Sequence, residues 1–159
     1  MELIMNISKL SQINAVKISN WHYTDEYSFY NTDADLEDYN EILSVDLRAD
    51  KFFQVLTANN ELLGYFVVEP TDVRDVYEVG LGMAPEFTGI GKGSRFVHVI
   101  IEFISRVYKP IKLLLNVAEF NVRAQKVYQR MGFTIFKKEI QIDDHGVSYP
   151  FLWMERVIK

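Results

Sequence analysis

The chain contains no cysteine, which excludes disulfides, a thiolate metal site and a cysteine nucleophile. It lacks a basic excess: 17 Lys and Arg stand against 22 Asp and Glu, and no basic stripe appears, so no nucleic-acid partner is expected. It lacks any apolar run near the roughly 18–20 residues that cross a bilayer, so no membrane partner is expected either. The opening Met-Glu-Leu-Ile-Met-Asn has neither the basic segment nor the cleavage site of a signal peptide, and a cytoplasmic protein is expected. The three histidines, His22, His98 and His145, are too scattered to form a ligand set, so no metal is expected. There is no repeat, low-complexity tract or Pro/Ser-rich linker. A length of 159 residues then predicts one domain spanning 1–159, as a monomer or homodimer.

What is present is an ordinary globular composition, 48% hydrophobic, enough for a sizeable core. Glu2 to Ile7 reads as a short strand. Ser11 can cap a helix over about Gln12 to Trp21, with Ile13, Val16 and Ile18 facing inward. An aromatic segment follows, Trp21 to Tyr30, then an acidic helix from about Asp35 to Leu43. Phe52 to Thr57 and Leu62 to Val68 read as a hairpin, and Val76 to Met83 as a fourth strand. From Ser94 the period becomes helical. Phe96, Ile100, Phe103, Ile104 and Val107 share a face that Val97 and Ile101 widen, and Pro110 ends the helix. Ile111 to Val117 is an almost wholly apolar strand. Asn121 caps a further helix with Ala124, Val127, Tyr128 and Met131 on one face, and Gly132 sits where a left-handed residue belongs. Phe133 to Ile142 and Tyr149 to Val157 close the chain as a hairpin. The order predicts an α/β (α+β) fold, a mixed sheet with helices on its faces.

The run Thr88-Gly89-Ile90-Gly91-Lys92-Gly93-Ser94 follows a strand and opens a helix, an arrangement that builds an anion pocket. Two nucleotide motifs are excluded. In the P-loop pattern G-x-x-x-x-G-K-[ST], position 86 is glutamate and Lys92 is followed by Gly93. The dinucleotide pattern G-x-G-x-x-G fails at Ser94, and no acid stands about 20 residues on.

The arrangement resembles the GCN5-related N-acetyltransferase (GNAT) superfamily over nearly the whole chain. Gly91 and Gly93 match that family's Q/R-x-x-G-x-G/A cofactor motif, with Thr88 in place of its opening Arg or Gln. Val79 to Pro85 looks like the family's strand running into a proline, and Asn121, Ala124, Tyr128 and Gly132-Phe133 match its second signature. The resemblance implies a mostly antiparallel central sheet of about seven strands. Helices cover both faces, and a cleft opens where the fourth and fifth strands splay. It implies acetyl-CoA as cofactor and an N-acetyltransferase acting on a primary amine, of a small molecule or of a peptide or protein N-terminus. The alternative is a domain that binds acyl-CoA as a sensor without turnover, which the departure at Thr88 favours.

Acyl transfer from a thioester needs a docked donor, a neutral amine, stabilisation of the charge developing on the carbonyl oxygen, and a proton for the leaving sulfur. By resemblance, residues Thr88, Gly89, Gly91, Lys92, Gly93 and Ser94 hold the pyrophosphate, chiefly through backbone N–H groups. Leu81 and Met83 pair with the pantetheine arm through their backbones, and Asn121 bonds it. Lys92, Arg95, Arg123 and Lys126 are candidate cations for the phosphates, of which Lys92 is taken. Tyr128 becomes the general acid, since a phenol with a reference pKa of about 10 is protonated at neutral pH; on spacing alone it is a core aromatic. Glu78 is the candidate base through water, or else a structural carboxylate paired with a nearby cation. The segment from Trp21 to Tyr30, aromatic with Asp25 and Glu26, either holds a cationic amine or covers the end of the sheet. The acidic helix after it would favour a basic peptide or a polyamine.

Overall fold

The computed structural model describes residues 4–88 and 91–159, apart from the side chain of Asp33. Gly89 and the expected strand residues Glu2 and Leu3 therefore lie outside the described residues. Seven strands form one sheet: β1 (Met5–Lys9), β2 (Phe52–Thr57), β3 (Leu62–Pro70), β4 (Val76–Met83), β5 (Lys112–Ala118), β6 (Thr134–Ile142) and β7 (Ser148–Val157). Their order is β1-β2-β3-β4-β5-β7-β6. Every neighbouring pair is antiparallel except β4 with β5. The helices are α1 (Gln12–Ser19), α2 (Leu36–Leu43), α3 (Val45–Arg48), α4 (Gly93–Tyr108) and α5 (Val122–Arg130). Short 3₁₀ turns occupy Asp25–Tyr30, Thr32–Ala34 and Pro85–Phe87.

Cross-strand partners share a face, and the register therefore sorts the sheet into two sides. Phe53, Phe66, Val79, Leu113, Leu115 and Val117 pack under Phe96, Ile100 and Ile104 of α4 and Tyr128 of α5, which makes the main core. On the opposite side Phe52, Tyr65 and Val67 meet Ala15 and Ile18 of α1 and Ile42 of α2. Helices thus cover both faces, with α4 and α5 on one and α1 and α2 on the other.

The parallel ladder between β4 and β5 is short. Val76 pairs with Lys112, Tyr77 with Leu113 and Glu78 with Leu114, and the pairing stops there. Beyond Glu78, β4 stays on β3 as far as Met83, while β5 stays on β7 as far as Ala118. The two strands splay, and a gap opens in the middle of the sheet.

Ser11, Asp35 and Asn121 cap α1, α2 and α5, each accepting from the N–H three residues on. Two expected helix faces are corrected. In α1 the buried residues are Ala15, Ile18 and Ser19, while Ile13 and Val16 are exposed. The helix is turned by Gln54 of β2, whose Oε1 accepts from the Ser11 N–H and from Asn14 Nδ2. It also ends at Ser19, short of Trp21. In α4 Val107 is exposed, because the helix end leaves the sheet as Lys109 turns left-handed (φ 49°) ahead of Pro110. The short α3 had no sequence signature. Buried Arg48 anchors it, donating to Ile42 O (2.6 Å) and to Gln12 Oε1 (2.8 Å). No helix among the described residues is long and apolar enough to cross a membrane.

Candidate active site

A cavity of about 1440 Å³ runs through the gap between β4 and β5. The edge of β4 supplies its backbone. Ala84 N–H donates to Leu63 O of β3 at 2.8 Å. Antiparallel bonding alternates, so the N–H and C=O groups of Leu81 and Met83 point the other way, into the gap. They are placed to receive an extended, amide-bearing ligand as an added strand. Gly82 lets the Tyr65 ring lie close over β4, since a Cβ there would come within 2.5 Å of Tyr65 Cε1.

At one end of the cavity stands the start of α4. Lys92 is its N-cap and offers no side-chain cap, so the N–H groups of Gly93 and Ser94 have no helical partner. Gly91 turns the chain into the helix with φ +82°. Thr88, Gly91, Gly93 and Ser94 all line the cavity. The Thr88 hydroxyl donates back to Pro85 O at 2.7 Å, closing its own turn. The Lys92 ammonium lies 4.8 Å from the centre of the Phe87 ring, and Lys92 is not among the lining residues. The cations that line the cavity are Arg123, Lys126 and Arg130 of α5. An uncapped helix start in a cavity that also carries three cations fits a polyphosphate.

Asn121 and Tyr128 face the same space from α5. Asn121 Oδ1 accepts from the Ala124 N–H, and its Nδ2 donates to the Tyr30 hydroxyl at 3.1 Å. Tyr128 is buried beside Phe133, and its carbonyl accepts from the N–H groups of Met131 and Phe133, which close the helix at Gly132 (φ +90°). Burial, then the neighbouring Tyr30, raises the Tyr128 phenol above its ordinary value, so it stays protonated. Glu78 stands where the ladder ends, half-buried. Burial, then Glu69 directly across on β3, raises its carboxyl above the usual range. Lys51 pairs with Glu69 at 3.0 Å.

The sequence left the aromatic segment between two roles, and the structure divides it. Phe29 packs against Tyr149 (4.5 Å between centroids), Tyr30, Phe120 and Phe151, covering the end of β5 and β7. Trp21 lies against Tyr65. Tyr23, Tyr27 and Tyr30 line the cavity, and Phe29 lines it as well as packing there; Trp21 does not. The Tyr23 hydroxyl donates to Met83 O, and the Arg123 guanidinium lies over the Tyr27 ring. These contacts join residues far apart in the chain and had no local signal.

On the side of α2 the cavity is acidic. Glu26, Asp35, Asp38, Glu41 and Glu78 line it. Asp38 is an exposed residue whose carboxyl is partly withdrawn from water. That desolvation, then Asp35, Glu41, Glu37 and Asp144, raises it to about 6. Burial, then Asp38 and Glu41, pushes the Tyr65 phenol up to about 12. The Leu36 N–H donates to Asp144 at 2.9 Å, tying α2 to the β6–β7 turn across this chamber. No group of three or more His, Asp or Glu side chains that could hold a metal occurs among the described residues.

A gap between parallel strands, an anion cradle at one end and a buried phenol in between are features that comparison with known proteins connects. The sequence matches the acetyltransferase (GNAT) family over residues 15–133. The chain belongs to the GNAT acetyltransferase family. It is an acetyl-CoA-dependent N-acetyltransferase, and the gap and the α4 cradle fit that cofactor. Two solved GNAT-fold structures are similar throughout. One is spermidine N-acetyltransferase from Vibrio cholerae in complex with CoA and spermine, at 19% identity and a TM-score of 0.79, covering 96% of this chain and 95% of that one. The other is a GNAT-family acetyltransferase from Bacillus anthracis, at 15% identity and a TM-score of 0.74, covering 98% of each chain. Comparison of the sequence with curated proteins gives no match.

Proposed function

We propose that this GNAT enzyme transfers the acetyl group directly to a primary amine of a small cationic molecule bearing a second positive charge. The observation that carries the acceptor class is the acidic wall of the chamber, where Asp35, Asp38 and Glu41 line the same cavity as Glu78 and Tyr128. Cations are attracted there, and the tyrosine rings of Tyr27, Tyr30 and Tyr65 add faces for them to rest on. The spermidine N-acetyltransferase with CoA and spermine, alike in fold, supports a polyamine as the acceptor to try first.

Acetyl-CoA, when bound, supplies an activated thioester. In this reading Gly91, Gly93 and Ser94, with Thr88 and Gly89, hold the pyrophosphate, and Lys92 stays a secondary contact behind Arg123 and Lys126. Leu81 and Met83 align the pantetheine arm along β4, and Asn121 bonds it once released from Tyr30. The Met83 N–H faces the thioester oxygen and stabilises negative charge there. Glu78 draws a proton from the acceptor ammonium through water, and its raised carboxyl suits it to that task near neutral pH. Tyr128 gives its phenolic proton to the departing sulfur as the C–S bond breaks, and the proton shed by the newly acylated nitrogen restores the phenol.

Release of free CoA thiol, followed with spermidine, putrescine, n-butylamine and a peptide with a free N-terminus, tests the reading. Spermidine and putrescine are expected to turn over faster than n-butylamine and the peptide. Release no faster than without amine, for spermidine and putrescine alike, would overturn it.

A further inference from the structure

We propose that Asn116 is an acceptor-binding residue, its Oδ1 taking a hydrogen bond from the amine that receives the acetyl group. The inference rests on the acetyl-transfer reading above. Asn116 is the polar interruption in the apolar middle of β5, two residues beyond Leu114, where pairing with β4 ends. Its Oδ1 is buried and has no hydrogen-bond donor among the described residues. Folded proteins rarely leave such an atom unpaired, and the exceptions call for a ligand or a function. Asn116 lines the cavity, so a turn of its amide about the Cβ–Cγ bond brings the oxygen to a partner held there.

The register gives the side from which that partner comes. Glu78 pairs with Leu114, so the two share a face, and Gly80 and Asn116 follow on it. That is the face of α1, α2 and the acidic wall, opposite the α4 cradle. Gly80 has no side chain to stand between Asn116 and Glu78. The backbone groups offered to a pantetheine arm lie along the edge of β4, in the plane of the sheet. The Asn116 amide projects out of that plane toward the acceptor. An unpaired carbonyl oxygen selects a donor, and an amine presents N–H groups where a thioester carbonyl presents none. Held between Asn116 and the water on Glu78, an amine keeps its lone pair free to turn toward the gap.

The test is Asn116→Leu, which keeps the side-chain shape and removes the oxygen. Acceptor KM is measured with whichever of spermidine, putrescine and n-butylamine turns over fastest in the wild type, alongside acetyl-CoA affinity and thermal unfolding without ligands. The expected result is an acceptor KM raised about tenfold or more, unchanged acetyl-CoA affinity, and a midpoint of unfolding equal to or above that of the wild type. Weaker acetyl-CoA binding with unchanged acceptor KM would assign Asn116 to the donor and overturn the inference. A lowered midpoint with acceptor KM unchanged would make its role structural and also overturn it. No turnover of any of the three amines by the wild type would overturn the parent reading, and the inference with it.

Discussion

The Tyr23 hydroxyl donates to the carbonyl oxygen of Met83 at 2.6 Å, so a tyrosine from the loop after α1 takes a β4 group that faces the gap. If Met83 O is a partner of the pantetheine arm, Tyr23 competes with the cofactor. Burial, then Tyr65 and Glu86, raises the Tyr23 phenol above its ordinary value, so the competing proton is present at all ordinary pH. Tyr23→Phe should destabilise the ligand-free protein by about 1 kcal/mol. It should tighten acetyl-CoA by about fivefold, since binding no longer breaks that bond. Calorimetric titration and thermal unfolding of the two proteins check both signs. Unchanged affinity would mean that Tyr23 and the cofactor share the cleft without competing.

Glu78 provides a pH test. Its carboxyl is raised in the folded protein, so the neutral form is the one folding favours. The stability it contributes is present below the ordinary glutamate value and is lost as pH rises through its folded value. Glu78→Gln should therefore be as stable as the wild type in acid and more stable at neutral pH. Its kcat/KM should fall by about 100-fold near neutral pH if Glu78 is the base. The deficit should shrink as pH approaches the pKa of the acceptor amine, which then arrives neutral. A deficit constant with pH would assign Glu78 to positioning instead.

Asp38 tests the charge of the acceptor. Its carboxyl titrates at about 6 against an ordinary 3.8, so it is ionised at neutral pH and takes up a proton below that point. Asp38→Asn should raise the KM of spermidine by about fivefold at neutral pH, with kcat little changed. The ratio of mutant to wild-type KM should fall toward one below pH 6, where both side chains are neutral. The same sign governs stability: ionisation between 3.8 and 6 works against folding, so the variant should unfold at higher temperature above that window and equally below it. A ratio that does not move with pH would show that Asp38 does not attract the acceptor.

Local physics made much of this fold readable from the chain. Ser11 and Asn121 cap helices because a short polar side chain meets a free N–H three residues on, and Gly132 ends α5 because it adopts a positive φ. The splay of β4 from β5 followed from the family resemblance, and the register shows where it begins, after Glu78 and Leu114. Contacts between distant segments were not readable. The bonds from Tyr23 to Met83 and from Asn121 to Tyr30 join residues 60 and 91 positions apart. The inward face of α1 is not legible locally because eight residues carry a weak period, and Gln54 from β2 fixes the rotation. Lys92, which its place in the glycine run singles out, lies by Phe87, while Arg123 and Lys126 line the cavity from a helix with no local phosphate signal. Asn116 did carry a signal, a lone amide in an apolar strand, whose meaning depended on finding its oxygen unpaired.

The turnover of Tyr128→Phe tests the central claim most directly. Tyr128 is buried in the wall of the gap, and its phenol remains protonated at every pH the enzyme meets. Under saturating acetyl-CoA and spermidine, CoA release is predicted to fall by about 100-fold or more in this variant, with acetyl-CoA affinity unchanged. A kcat equal to that of the wild type would contradict the account, because the sulfur would then be receiving its proton from elsewhere.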